Sequence, residues 1–141
     1  MECEIPKINA SSDEIGRMLA KAKNIAVIGM SPKEDRPSHW IAAYLMDQGY
    51  NVIGVNPGIG ELFGKKVHKS LLDIPDAIDI VDIFRPSEAV PAIVEEAIQK
   101  KAKAIWMQEG IIHNEAAERA HKAGLTVVMN KCIYKEHLAR Q

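Results

Sequence analysis

Small, amide and basic residues follow five apolar runs of the chain, and their types suit the binding of an anion. They form five short segments: Gly29-Met30-Ser31-Pro32, Val55-Asn56-Pro57, Phe84-Arg85-Pro86, Gln108-Glu109-Gly110 and Asn130-Lys131-Cys132. Backbone N–H groups, hydroxyls, amides and arginine are the donors that hold phosphate groups in proteins. The five histidines are scattered, and no Ser/His/Asp or paired-carboxylate arrangement follows from the spacing. The pattern therefore predicts phosphate binding and gives no catalytic signature.

The segment after the first run carries the strongest of these signals. Gly29 allows a close turn, Ser31 can donate a hydroxyl hydrogen bond, and a helix beginning near Pro37 or Ser38 would point its free N–H groups at this loop. Arg36 can grip a phosphate with two parallel hydrogen bonds. The position of Gly29 and Ser31 at the end of a strand favours a ligand contact for both. For Lys33, a solvated charge is the favoured interpretation.

Two other segments have structural interpretations as well as functional ones. Asn56 with Pro57 is a good turn pair whether or not a ligand is present. Arg85 emerges where a strand ends and suits an anion, but an ion pair with Glu88 or Asp82 explains it equally well.

Cys132 also has two interpretations. Lys131 and a following helix N-terminus would favour its thiolate, which would make it reactive. A lone cysteine is more often a small buried residue.

The elements that position these residues alternate between strands and helices. Ser11 and Glu14 form a capping box that predicts an N-terminal helix over 12–22, Gly49 and Asn114 predict a helix end and a helix start, and Pro91 lies in a first helical turn. The segment 56–69 reads as a long irregular connection. The apolar runs predict strands at 25–29, 52–55, 78–84, 104–107 and 125–129.

This alternation predicts an α/β, Rossmann-like fold: a doubly wound parallel sheet of five main strands in the order 3-2-1-4-5, with helices on both faces. We expect one domain over 1–141, with a core over about 24–130 and a C-terminal helix over about 133–140. In such a sheet, ligands collect at the carboxyl ends of the strands near the point where strand order reverses.

Composition narrows the function classes. The chain has 141 residues, 47% of them hydrophobic and 26% charged, with a net charge of -1. This balance offers no broad basic surface for nucleic acid. With no signal peptide or membrane-spanning run, we expect a cytoplasmic protein that does not bind membranes. Cys3 and Cys132 lie far apart, which argues against a disulfide framework or a zinc site.

Several motifs together resemble the CoA-binding domain family, a Rossmann-like group that includes the N-terminal domain of the succinyl-CoA synthetase alpha subunit. The resemblance runs from about Ser12 to the C-terminus. It is carried by the motifs 26–32, 35–38, 55–57, 63–64, 79–82, 84–85, 90–91, 108–110, 124–129 and 131–132.

The resemblance implies that the ligand is coenzyme A or an acyl-CoA. It implies ligand contacts at Gly29, Ser31, Pro32, Arg36, Asn56, Pro57, Phe84, Arg85, Gln108 and Gly110, with Asn130 and Cys132 near the pantetheine end. The phosphorylated histidine of the synthetase belongs to a further domain, so ligase activity does not transfer.

These observations favour a stand-alone CoA-binding protein without evident catalytic machinery. An NAD(P)-dependent enzyme is the alternative, weakened because Gly29 lacks a following G-x-x-G and Asn56 stands where a ribose-binding acid is expected. A nucleotide-sensing regulatory protein of the receiver type is a third option, but its clustered acids are missing after the first strand. The expected partner is a small-molecule nucleotide, and self-association is left open.

Overall fold

Five parallel strands form the central sheet of the chain, which a computed structural model describes over residues 5–141. The strands are β1 (Asn24–Ile28), β2 (Asn51–Val55), β5 (Ile80–Ile83), β6 (Ala104–Met107) and β7 (Thr126–Val128), and a two-stranded antiparallel hairpin is made by β3 (Glu61–Leu62) and β4 (Lys65–Lys66). The helices are α1 (Ser12–Lys21), α2 (Pro37–Asp47), α3 (Val90–Gln99), α4 (Asn114–Lys122) and α5 (Ile133–Leu138). The predicted α/β, Rossmann-like class is confirmed.

The predicted strand order is wrong in one respect. The sheet runs β2-β1-β5-β6-β7, which is 2-1-3-4-5 in main strands and not 3-2-1-4-5. The third main strand pairs with β1, Ala26 lying opposite Val81, and the outer side of β2 carries only a bridge between Val55 and His68 among the described residues. Strand order therefore reverses between β1 and β5, and this is where a ligand is expected.

Helices cover both faces of the sheet, as predicted. On one face α3 and α4 pack against side chains such as Val81 and Ile83; on the other, α1, α2 and α5 pack against Val27, Ile80 and Trp106. Because successive strand residues point to opposite faces, Asp82 falls on the α1, α2 and α5 side. The strand runs are apolar throughout because both faces are buried.

Segments of the chain itself lie along the two outer strands. At β7, Ala10 donates its N–H to the Val127 carbonyl, and the Asn9 side chain bonds both the N–H and the carbonyl of Met129. At β2, the His68 N–H bonds the Gly54 carbonyl, and the His68 carbonyl accepts from Asn56. Some backbone groups on the outer side of each of these strands, or just beyond its end, thus find partners within the chain.

Most local signals are confirmed. Ser11 and Glu14 form the reciprocal capping box, and Gly49 has φ 98°, the left-handed conformation expected where a helix ends. The predicted cap at Asn114 is wrong: His113 is the N-cap of α4, and its ring Nδ1 accepts from Ala116. The Asn114 side chain is diverted to the backbone of the N-terminal segment, where it accepts from Lys7.

Other details refine the expectations. Pro91 lies in the first turn of α3, and the segment 56–69 contains the β3–β4 hairpin instead of being wholly irregular. Cys3 lies outside the described residues. Among residues 5–141, no helix is long and apolar enough to cross a membrane.

Candidate functional site

The loop after β1 turns tightly against the loop after β5. Gly29 has φ 88°, a backbone conformation that favours glycine, and its N–H donates to the Val55 carbonyl at 2.8 Å. A Cβ at this position would lie 3.2 Å from Cδ of Arg85 and 3.4 Å from the Phe84 carbonyl oxygen. The two strand ends on either side of the reversal point therefore meet at Gly29.

Ser31 and Ser38 connect this loop to the start of α2. The Ser31 N–H donates to Ser38 Oγ at 3.0 Å, and Ser31 Oγ accepts from the Lys33 N–H at 3.1 Å. The Ser31 carbonyl lies 2.8 Å from Nδ1 of His39. Both hydroxyl hydrogens remain available because the two oxygens act here as acceptors.

The loop before the same helix start carries both signs of charge, since the exposed acids Glu34 and Asp35 lie between Lys33 and Arg36. Arg36 occupies the N-cap position of α2 with no side-chain cap, and neither Arg36 nor Lys33 forms an ion pair within residues 5–141. Both side chains belong to exposed residues. The N-terminus of an α-helix adds free N–H groups and a partial positive charge. This corner is equipped to hold an anion.

A cavity of about 660 Å³ opens at the carboxyl ends of the strands, and we call it the strand-end cavity. This volume lies within the range of small-molecule sites, roughly 300–1,000 Å³. Six of the predicted site residues line it: Gly29, Ser31, Arg36, Phe84, Gln108 and Cys132. They come from loops after β1, β5, β6 and β7, so the fold brings together residues that lie up to 103 positions apart, from 29 to 132.

The cavity also includes residues that sequence reasoning did not assign to a site. They are Pro37, Ser38, Trp40, Ile41, Glu109, Ile111, Tyr134 and Lys135, together with Lys33, whose favoured interpretation was a solvated charge. Trp40 is 41% exposed and packs edge-on against Tyr134 at 5.1 Å. For the residues of α2 and α5 the available signal was their position near the start of a helix that follows a strand end, whereas Lys33, Glu109 and Ile111 lie in the loops after β1 and β6.

Gln108 is held by a buried carboxyl. Its Nε2 donates to Asp82 Oδ1 at 2.5 Å, and its Oε1 accepts a long bond of 3.4 Å from the Ile133 N–H. Asp82 is fully buried, and burial raises its pKa to about 8 against the smaller lowering effect of the bond from Gln108. The other oxygen, Oδ2, is the one buried side-chain polar atom without a partner in the described part of the chain.

Cys132 lies at the wall of the cavity, just before α5, and is 7% exposed. Beside it, Lys135 pairs with Glu109 across the rim, with Nζ 3.0 Å from Oε1, and this bond raises the pKa of Lys135. Within residues 5–141, no group of three His, Cys, Asp or Glu residues is placed to hold a metal ion.

Six predicted site residues lie outside the cavity lining: Pro32, Asn56, Pro57, Arg85, Gly110 and Asn130. The Asn56 side chain donates to the Met30 carbonyl and accepts from the Gly58 N–H, both at 2.8 Å, which agrees with the turn interpretation. Pro57 lines a separate hollow beside the hairpin. Pro32 is exposed in the loop after β1. Their ligand contacts stay predictions.

The other outlying residues have defined places. Asn130, with φ 58°, accepts the Gly110 N–H at 2.8 Å, which joins the ends of β6 and β7. Arg85 is exposed with its stem against Gly29, and it makes no ion pair with Glu88 or Asp82. Its guanidinium is therefore uncommitted among residues 5–141.

Comparison with known proteins gives consistent matches. The family model described as "CoA binding domain" matches residues 23–138. An uncharacterized protein of Bacillus subtilis, YneT, is 41% identical over 129 residues, which cover 92% of this chain and 96% of YneT. A hypothetical protein from Pyrococcus horikoshii superposes with a TM-score of 0.91 at 39% identity, covering 99% of this chain and 98% of its own.

More distant relatives are much longer. The ADP-forming acetate–CoA ligase of Methanocaldococcus jannaschii is 29% identical over 125 residues, which cover 83% of this chain. The match spans only 18% of the ligase. The shared region is thus one part of that protein.

Proposed function

The chain belongs to the CoA-binding domain family, and on that basis we propose that it binds coenzyme A or an acyl-CoA in the strand-end cavity, as a stand-alone binding protein. The observation that carries this proposal is the meeting of Gly29, Ser31, Arg36, Gln108 and Cys132 around one cavity at the reversal point. The match to YneT over 96% of that protein supports a binding unit that occurs by itself.

The loop end of the cavity suits the phosphates of the ligand. Ser31 and Ser38 each retain a hydroxyl hydrogen, and Arg36 and Lys33 bring positive charge without a carboxylate partner within residues 5–141. Hydrogen bonds in which a partner is charged contribute about 1.5–3 kcal/mol. We assign the pyrophosphate region of the ligand to this end.

The remaining wall of the cavity suits an extended arm that carries amide groups between apolar carbons. Trp40, Ile41, Phe84, Ile111 and Tyr134 supply apolar surface, and Cys132 and Gln108 supply the polar groups. Coenzyme A, when bound, supplies a thiol that carries acyl groups. We assign its pantetheine arm to this wall, with the thiol toward Cys132.

An NAD-dependent function fits the same residues less well. The end of β2 carries Asn56, whose side-chain groups are both bonded within the chain, to Met30 and Gly58. A ribose-binding domain would place a free carboxylate there. This supports coenzyme A over a dinucleotide.

Isothermal titration tests the proposal with coenzyme A, acetyl-CoA and NADH as separate titrants. Saturable binding of either CoA compound, with no heat from NADH, is the expected result. Saturation by NADH alone, or no binding of any titrant at millimolar concentration, would overturn it. Native mass spectrometry of protein isolated from its own host would further identify which acyl form travels with it.

A further inference from the structure

The buried carboxyl of Asp82 is the feature that the proposed function leaves unexplained. It lies at 0% exposure in the apolar layer beneath α1, α2 and α5, between its register neighbours Val27 and Trp106. A charge in such a place is costly unless it is paired. The structure shows neither a cation nor a second donor beside this carboxyl among residues 5–141.

The carboxyl communicates with the strand-end cavity through one side chain. Asp82 Oδ1 accepts from Gln108 Nε2 at 2.5 Å, and Gln108, 5% exposed, forms part of the cavity wall. The side-chain oxygen of Gln108, Oε1, accepts from the Ile133 N–H, so the side-chain amide is held at both its oxygen and its nitrogen. One of the two N–H groups of Nε2 has no partner among residues 5–141. The remaining donor is available to a ligand acceptor.

We propose that Asp82 is a positioning residue of the strand-end cavity: it holds the Gln108 amide in place for the ligand, and ligand binding is thereby coupled to the proton that this buried carboxyl carries. This inference rests on the proposed function. A ligand that covers Gln108 closes the cavity side of this pair, so the carboxylate form of Asp82 has still less access to solvent in the complex. The neutral form is therefore favoured further in the complex, and by linkage the affinity falls as that proton is lost.

Asp82 is the one buried carboxyl among residues 5–141, and the ionisable side chains around it do not bond it. Five ionisable side chains border the apolar layer from the helices and their flanking segments: Tyr44, Tyr50, Cys132, Tyr134 and His137. None bonds Asp82. Burial raises the pKa of Tyr44 and Tyr50 and lowers that of His137, so these three stay uncharged there.

The test compares the pH dependence of coenzyme A binding in wild type and Asp82→Asn. Asparagine keeps an oxygen that accepts from Gln108, but it cannot ionise. Between about pH 7 and about pH 9, we expect the dissociation constant of wild type to rise relative to that of the variant, by at most about tenfold per pH unit. Ionisation of the ligand itself affects both proteins and cancels in the ratio.

Two further proteins sharpen the test. Asp47→Asn, which removes an exposed carboxylate at the end of α2, should follow the wild-type pH profile. Gln108→Met, which removes the amide that links Asp82 to the cavity, should lose the profile and carries the test if Asp82→Asn does not fold. Parallel profiles for wild type and the variants would overturn the inference while leaving coenzyme A binding intact. Absence of binding at every pH would overturn both proposals.

Discussion

The backbone N–H of Ser31 donates a 3.0 Å hydrogen bond to Oγ of Ser38, which joins the loop after β1 to the first turn of α2. Ser38 is 6% exposed, so its loss leaves a donor without a partner in a largely dry place. We expect Ser38→Ala to lower the free energy of unfolding by about 1 kcal/mol and also to weaken coenzyme A binding. Urea unfolding and calorimetric titration measure the two effects.

Ser70→Ala is the matched control for that change. Ser70 Oγ accepts from the Leu72 N–H and donates to Oε1 of Glu96, away from the strand-end cavity, so Ser70→Ala also removes a backbone N–H bond to a serine hydroxyl. A similar loss of stability without a loss of affinity is expected. Equal losses of affinity in the two variants would mean that the Ser31–Ser38 bond has no special part in binding.

Two arginines are predicted to hold the phosphates, and they occupy different places. Arg36 lines the cavity, whereas Arg85 lies against Gly29 with its guanidinium exposed. Replacing either by Ala should lower coenzyme A affinity by about 1.5–3 kcal/mol, because a charge-assisted bond is lost. Arg119→Ala removes an exposed arginine that pairs with Glu95 on α3 and should bind as wild type. An unchanged dissociation constant for Arg85→Ala would remove Arg85 from the site.

Gly29→Ala tests the close approach of the two loops. The positive φ imposes about 1–2 kcal/mol of strain on alanine, and the added Cβ would press on Arg85 at 3.2 Å. We expect reduced stability together with reduced coenzyme A affinity. Gly49→Ala, also at positive φ but with no atom within 4 Å of the new Cβ, should lose stability only. Wild-type affinity in Gly29→Ala would show that the approach does not shape the site.

Cys132 is predicted to form a mixed disulfide when coenzyme A disulfide is supplied. The Cys132 thiolate attacks one sulfur of that disulfide, a Cys132–CoA disulfide forms, and one coenzyme A thiol is released. Intact mass spectrometry should show one adduct that a reducing thiol removes. Cys132→Ser should lack it, and persistence of the adduct in that variant would assign it to Cys3 and contradict the prediction.

The free energy of unfolding should also depend on whether the buried carboxyl of Asp82 carries its proton. The folded state holds this pKa at about 8 against an ordinary value of 3.8, so folding favours the protonated form. The stabilisation that Asp82 gives to the folded state is fully present below about pH 4, declines as the pH rises toward 8, and is absent above that value. In urea unfolding, Asp82→Asn should therefore gain stability relative to wild type across this window. A difference that stays constant with pH would contradict the assignment.

Local chemistry explains which parts of the fold followed from sequence. The capping box of Ser11 and the left-handed end at Gly49 depend on neighbours within a few residues, and both were predicted. The place of the third main strand is defined by the pairing of β5 with β1, a contact between residues more than 50 positions apart that hydrophobic periodicity does not contain. The prediction of a cap at Asn114 was wrong for a similar reason, because the Asn114 side chain accepts from the backbone N–H of Lys7, 107 residues away.

The candidate site divides in a similar way. Position at strand ends was enough to find Gly29, Ser31, Gln108 and Cys132, since parallel strands end at one edge of a sheet. It did not find Trp40 or Tyr134, whose meeting depends on how α2 packs on α5. Asp82 was considered only as an ion-pair partner of Arg85, and its bond to Gln108 requires the register of β5 against β6.

The segments that run beside β2 and β7 have a consequence for assembly. An unpaired outer strand is a template on which another chain can add a strand, the route to domain swapping and fibril growth. Here His68 on one side and Ala10 with Asn9 on the other already bond some of the backbone groups that such an incoming chain would need, at Gly54, Asn56, Val127 and Met129. Addition of a strand at either edge would have to displace these segments first, which makes each of them a guard against sheet extension.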